Sequence, residues 1–287
     1  MSDGSKAQRP RPSAAVILVR ERASDGAVEV YLQRRHRKAS FMSSAFVFPG
    51  GAVDPGEADL RRTAARELFE EAGVWLSGAP LDAEARSVLT RWREHLHAGA
   101  CTLDEIEAGL GAPLDLDAMC FFAHWITPSI EPKRFSAEFF LARMPSGQRA
   151  SVDNREMVDD TWVTPADALS RAGELGLPPP QLRTFFELDR ILTGEDAAGK
   201  DESRAIERLF AGARERVAHR HPILPRLAAG REQVTLLLPW DPDYADAGTG
   251  EAMPMPADHP LAVGPSRFVL QDRTWTHIDA ASSPSAG

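Results

Sequence analysis

The stretch Arg66-Glu67-Leu68-Phe69-Glu70-Glu71-Ala72-Gly73-Val74 decides how this chain reads. Glu67 stands three residues before Glu70 and four before Glu71, so on a helix the three carboxylates occupy neighbouring turns of one face. Leu60, Ala64, Leu68 and Ala72 recur at every fourth position and form an adjacent apolar stripe that can pack on a core. The pattern predicts a helix from about Asp59 to Ala72, closed by Gly73 as a left-handed C-cap. As plain structure the arrangement is unfavourable. Like charges three and four residues apart repel by roughly a few tenths of a kcal/mol per pair, and the last turn of a helix favours cations. A divalent cation reverses both effects, and oxygen-only donors suit Mg²⁺ or Mn²⁺ rather than zinc. Arg66, four residues before Glu70, is placed to orient its carboxylate.

Working outward, Val47-Phe48-Pro49-Gly50-Gly51 precedes this helix. Pro49 argues against a central strand there, and the paired glycines permit a sharp turn or a close backbone approach. Asp54-Pro55-Gly56 is turn chemistry. Further upstream, Ala14 to Val19 is a short apolar run that fits a buried strand, and Val28 to Gln33 alternates as a second strand should. Ala23-Ser24-Asp25-Gly26 between them makes the pair resemble a hairpin. The basic run Arg34-Arg35-His36-Arg37-Lys38 follows, readable either as a solvated strand end or as a phosphate-facing rim. Residues 1–12 read as a disordered lead-in.

Downstream, helices are expected over 82–98 and 103–110, then strands over Met119–Ile126, Ala137–Ala142 and Thr161–Val163. Thr164 as N-cap with Pro165 at the first helical position starts another helix. Two more are expected over 181–193 and 202–218. Val234–Leu238 and Phe268–Gln271 read as strands separated by a Pro-, Gly- and Asp-rich loop, with Trp240-Asp241-Pro242-Asp243-Tyr244 an ordinary turn. His219 and His221 read as a solvated helix end rather than a metal pair.

Composition sets the outer bounds. The 287 residues carry 42 acidic against 33 basic side chains, a net charge of −9. That balance argues against general nucleic-acid or anionic-membrane binding, because no positive excess exists to neutralise phosphates. A small anionic substrate remains compatible, since it needs only a local cationic site. Cys101 and Cys120 form no CxxC pair and are expected as reduced, half-buried thiols. The N-terminus lacks an apolar h-region, no run of 18 apolar residues occurs, and the C-terminus carries no address signal, so a cytoplasmic protein is expected.

The segment from Gly51 to Val74 closely resembles the Nudix box: Gly, five residues, Glu, seven residues, then Arg-Glu-hydrophobic-any-Glu-Glu-any-Gly-hydrophobic. Gly51 and Glu57 match the first half with the family's gap, and Arg66 to Val74 match the second half throughout. Eight residues, Ala58 to Ala65, separate the halves instead of seven, which lengthens the loop before the helix. The flanks Phe41 to Gly51, Trp125-Ile126-Thr127-Pro128, Arg134-Phe135, Phe139 to Ala142 and Pro178 to Thr184 resemble the branch of peroxisomal coenzyme A diphosphatases and their bacterial relatives.

The resemblance implies an α/β/α sandwich on a mixed sheet, with a Nudix domain over 13–195, a helical insertion at about 80–115 and a helical and short-strand extension over 196–287. It implies Mg²⁺ or Mn²⁺ held by Glu67, Glu70 and Glu71, with Gly50, Gly51, Glu57 and Gly73 as structural members of the motif. Glu70, Glu156 and Arg66 are the residues implied to act in catalysis. Glu156 is the first candidate for a general base, with Glu131 and Glu138 as alternatives. Arg34, Arg35 and Arg134, with Lys38 and Lys133, are candidate phosphate-binding cations. The expected activity is metal-dependent hydrolysis of a diphosphate linkage in a nucleoside diphosphate derivative, coenzyme A or acyl-coenzyme A first. The alternatives are ADP-ribose or a dinucleotide as substrate, or a nucleotide-sensing module without turnover. The expected partner is this small molecule alone, with no nucleic acid and no membrane; a homodimer is left open.

Overall fold

The computed structural model describes residues 8–37, 44–194, 204–256 and 258–280. In chain order the first part runs β1 (Arg11–Glu21), β2 (Val28–Arg35), β3 (Phe46–Val47), β4 (Gly50–Ala52), α1 (Leu60–Ala72), α2 (Ala83–His97), α3 (Leu103–Leu110), β5 (Cys120–Ile126), β6 (Phe135–Arg143) and β7 (Met157–Val163). Then follow α4 (Pro165–Ser170), α5 (Ala172–Leu175), α6 (Pro179–Thr193), α7 (Ala205–Arg216), β8 (Pro222–Ile223), β9 (Arg226–Ala228), β10 (Thr235–Leu237), β11 (Gly248–Thr249), β12 (Arg267–Gln271) and β13 (Thr274–Ile278).

The apolar run of β1 explains its place. Val16, Ile17, Leu18 and Val19 are all fully buried, as a strand covered on both faces requires. β1 lies at the centre of an eight-stranded mixed sheet, ordered β3-β2-β1-β6-β5-β8, with β4 also paired to β1 and β7 to β2. It pairs antiparallel with β2 and parallel with β6. Alternate residues then feed two cores. Val16, Leu18 and Tyr31 pack against Ala64, Leu68 and Ala72 of α1. Ile17, Val19 and Val30 pack on the other face with Phe185 and Leu188 of α6 and Leu209 and Phe210 of α7. The result is the expected α/β/α sandwich. Burial of a side chain such as Leu68 stabilises it by about 1.5–3 kcal/mol.

The insertion forms its own small cluster, in which Phe69 and Trp75 meet Leu89 of α2 and Leu103 and Ile106 of α3. The extension builds a second, antiparallel sheet, ordered β11-β9-β10-β12-β13. It shares the core of the sandwich: Leu236, Leu238, Met255, Leu261 and Phe268 belong to the same cluster as Ile17 and Phe185. Among the described residues no helix is long and apolar enough to cross a membrane. Cys101 and Cys120 are both free and half-buried.

Three expectations need correction. Arg11 and Pro12, read as lead-in, are ladder partners of Phe135 and Ser136; Met1 to Ala7 lie outside the described residues. The Phe46–Ala52 segment is two short strands broken at Phe48-Pro49, and β4 pairs with the central strand β1. The extension holds five paired strands in its own sheet, where two were expected.

Candidate active site

The site is built where β4 crosses the C-terminal half of α1. Asp59 caps α1 by accepting from the Arg61 backbone N–H, and Gly73 ends the helix at φ 69°. The paired glycines serve close approach. A Cβ on Gly51 would stand 2.3 Å from the Glu67 carboxylate, and one on Gly50 would stand 2.5 Å from the Ala14 carbonyl oxygen. Glycine at these positions therefore lets the helix carboxylates lie directly over the β4 backbone.

Arg66 is the hub of the box. Its Nε donates to Glu57 Oε1 at 2.8 Å, and Nη2 donates to the Ala52 carbonyl at 3.0 Å. Its Nη1 reaches both Glu67 Oε1 at 2.9 Å and Glu70 Oε2 at 3.0 Å. Glu57 also accepts from the Thr63 hydroxyl and the Asp54 N–H. The additional residue is thus absorbed in the loop before α1 while Glu57 keeps its grip on Arg66. The guanidinium is 8% exposed and saturated by protein partners. Arg66 was expected among the catalytic residues; in the structure its donors are taken up by Glu57, Glu67, Glu70 and Ala52.

Glu71 is anchored differently. It accepts from the Gly50 backbone N–H at 2.8 Å and from the Gln33 side-chain amide, both on Oε2. Glu70 is fixed through its backbone carbonyl, which accepts from Arg93 Nε at 2.7 Å and His97 Nε2 at 2.9 Å. Arg93 thereby supplies a cation at the last turn of α1, which has no basic residue of its own. Gln33, Arg93 and His97 were not foreseen. Gln33 shares strand parity with Arg35, and Arg93 and His97 share a helical face at i,i+4, so each had a faint periodic signal.

The electrostatics are those of an under-compensated acidic cluster. Burial, followed by the neighbouring Glu70, pushes Glu67 up to about 7 despite Arg66. Burial raises Glu70, and burial together with Glu67 raises Glu71 well above the carboxylate range. Among the described residues no three acidic, histidine or cysteine side chains already converge on one cation position; Arg66 spans two of the carboxylates. The donor set nevertheless fits a hard dication, because it is oxygen-only and carries more negative charge than Arg66 offsets.

The carboxylates open onto a cavity of about 1030 Å³, lined on this side by Gly50, Gly51, Glu67, Glu70, Glu71 and Glu156. Glu156 sits in the turn before β7, where its carbonyl accepts from the His36 N–H at 2.8 Å, and its charge acts on Glu67. Glu131 also lines the cavity. Glu138 does not: it faces Arg220 at 3.6 Å on the opposite parity of β6.

The candidate cations divide sharply. Arg35 lines the cavity, its charge acts on Glu71, and its Nε is buried without a protein partner. Lys133 lines it as well. Arg34, expected beside Arg35 as a phosphate contact, has the opposite strand parity; it pairs with Asp159 at 3.0 Å and is not among the lining residues. Arg134 is 3% exposed, with donors committed to the Thr127 and Gln8 carbonyls and to Glu251 Oε2 at 2.8 Å. It nevertheless lines the cavity, so its protein contacts clamp a side chain that borders the site. Lys38 lies outside the described residues.

With this geometry in hand, relatives can be compared. Residues 55–191 match the family described as the NUDT19 Nudix domain. The chain is 24% identical to acyl-coenzyme A diphosphatase NUDT19 of Xenopus laevis, over 57% of this chain and 59% of that protein. It is 30% identical to the Homo sapiens protein of the same name, over 48% of this chain and 40% of that one. It therefore spans less than two thirds of the length of these relatives. Among solved structures, a Nudix hydrolase from Alicyclobacillus acidocaldarius is 24% identical, covering 63% of this chain and 91% of that chain at a TM-score of 0.49. The box and the family match agree on residues 55–191, and this part of the chain is similar to the Nudix hydrolases.

Proposed function

We propose that this protein hydrolyses a diphosphate linkage in a nucleoside diphosphate derivative, with coenzyme A or an acyl-coenzyme A as the first substrate to try. The observation that carries the reading is the placement of Glu67, Glu70 and Glu71 on one helix face, over the Gly50–Gly51 backbone and at the wall of a large cavity. The relatives named as acyl-coenzyme A diphosphatases support this choice of substrate. Mg²⁺ or Mn²⁺, held by Glu67, Glu70 and Glu71, would supply Lewis-acid polarisation of the diphosphate and a more acidic attacking water.

The chain's own residues do the rest. Arg66 and Glu57 hold the helix carboxylates in register with β4. Arg35 and Lys133 provide positive charge for the diphosphate oxygens, so a chain of net charge −9 still offers a local anion site. Glu156, beside Glu67 at the cavity wall, is the group placed to take a proton from water. The test is a hydrolysis screen over coenzyme A, acyl-coenzyme A, ADP-ribose and dinucleotides with Mg²⁺ and Mn²⁺, run beside thermal melts in the same metals. Release of a phosphorylated product and a metal-dependent rise in melting temperature are expected. No turnover of any of them, with no thermal shift at millimolar metal, refutes the assignment. Metal-independent nucleotide binding without turnover supports the sensing module instead.

A further inference from the structure

The cavity is not made by the Nudix sandwich alone. The C-terminal extension contributes to it: Val234, Leu236, Leu270, Arg273 and Trp275 line the same space as the helix carboxylates. Ile130 and Trp125 line it as well. The two contributions differ in chemistry. The box contributes Glu67, Glu70 and Glu71, whereas the extension's described lining residues are apolar apart from Arg273.

Two observations make this wall more than filler between sheets. Among the described residues four large apolar side chains are exposed, and two of them, Ile130 at 49% and Val234 at 47%, line this cavity. Half of these exposed apolar side chains thus lie in one concave site, where a ligand can cover them. The wall is also held in place by a strained hairpin. Gln271 pairs with Thr274 across a two-residue turn in which Asp272 and Arg273 have φ of 47° and 66°. Such turns favour Asn-Gly, and an arginine at the second position is disfavoured there. It sets the guanidinium at the cavity and leads directly into Trp275.

We propose that the C-terminal extension forms a subsite for an apolar arm of the substrate, seated on Val234, Leu236, Leu270 and Trp275, with the aliphatic stem of Arg273 along its rim. This deepens the function proposed above and rests on it. The ligand it implies is a nucleoside diphosphate derivative with a hydrocarbon arm, so the extension, not the Nudix box, selects among the diphosphates the box can cleave.

The experiment compares KM and kcat for acetyl-coenzyme A, decanoyl-coenzyme A and ADP-ribose, using the full chain. A buried methylene group is favourable by roughly a few-fold in affinity. The decanoyl ester should therefore show a KM at least about tenfold below that of the acetyl ester, with kcat little changed. Val234→Asp places a charge in the subsite at a half-exposed position and should erase the decanoyl advantage. Arg273→Gly should reduce it several-fold without lowering the melting temperature, because glycine suits the left-handed turn. A merely structural arginine would give the opposite pair of results. Val217→Asp, an exposed position remote from the cavity lining, should leave the advantage intact. If the protein cleaves these compounds with equal KM for the two esters, or Val234→Asp preserves the preference, the subsite is refuted while the diphosphatase reading stands. If it cleaves neither ester while it cleaves ADP-ribose or a dinucleotide, the subsite is likewise refuted and the diphosphatase reading stands; if it cleaves none of the compounds in the full screen, both fall.

Discussion

Helices α1 and α6 use the same local device, an arginine and a glutamate four residues apart, to opposite ends. In α6, Arg183 donates to Glu187 at 2.6 Å, and Arg216 from α7 meets the other carboxylate oxygen at 2.6 Å. Arg183 also donates to the Pro265 and Leu261 carbonyls, both at 3.2 Å. Burial alone would raise Glu187, but Arg216 and Arg183 together bring it below the usual carboxylate value. In α1, Arg66 reaches Glu70 at 3.0 Å yet must also serve Glu57 and Glu67. Burial there raises Glu67, Glu70 and Glu71, with Glu70 adding to the rise of Glu67 and Glu67 to that of Glu71. A satisfied buried ion cluster ties elements together, here α6 to α7 and to the 261–265 loop. An under-compensated one at a cavity wall keeps negative charge available for the cation proposed above.

The comparison breaks most visibly at Glu187. Glu187→Gln leaves the buried Arg183 and the half-buried Arg216 without their counter-charge, and the loss should be about 3–5 kcal/mol. Urea unfolding with coincident fluorescence and circular dichroism transitions measures it. A loss below about 1 kcal/mol would mean that the carbonyl contacts of Arg183 suffice, and the contrast between the helices would lose its energetic basis.

Glu70→Gln makes the complementary change in α1. It removes one of several crowded charges, so stability without metal should hold or rise slightly. Removing a proposed metal ligand should nevertheless cost roughly several kcal/mol of transition-state stabilisation, about 10²-fold or more in kcat. Steady-state kinetics on a verified substrate, with circular dichroism to confirm the fold, test both halves. Near-normal turnover would remove Glu70 from the metal site.

The two helices were also unequally legible before folding. The course of α1 follows from local signals: an apolar stripe at Leu60, Ala64, Leu68 and Ala72, a capping aspartate and a terminal glycine. The strands β1, β2, β5 and β6 follow from apolar runs and alternation. The second sheet does not, because β9 and β11 are three and two residues long and exist only through pairings such as Gly248 with Ala228. Site chemistry divides the same way. The three glutamates are local, whereas the task of Arg134 is set by Gln8 and Glu251, at sequence distances of 126 and 117. Period-two parity alone separates Arg34 from Arg35, and that signal was available in the sequence.

The smallest expected effect concerns a third way of handling a buried ionisable group, by keeping it neutral. His277 of β13 stacks on Phe268 with ring centroids 4.4 Å apart. Its Nε2–H donates to the Pro265 carbonyl at 2.9 Å, while Nδ1 is buried without a protein partner. Burial, reinforced by nearby Arg183, pushes its pKa down to about 3. The unfolded chain regains a histidine value of about 6.5 and so binds the proton that the fold refuses. The stability is therefore fully present above about pH 6.5 and is lost on acidification toward about 3, by up to roughly 1.4 kcal/mol per pH unit. At pH 5.5 this amounts to about 1.4 kcal/mol. His277→Phe keeps the stack but cannot take the proton, so its stability should fall less steeply between pH 7.5 and 5.5, whatever its absolute value. Urea midpoints across that range give the two slopes. Identical slopes would show that the imidazole titrates normally within the fold, and that the extension's seam against Arg183 is wetter than its packing implies.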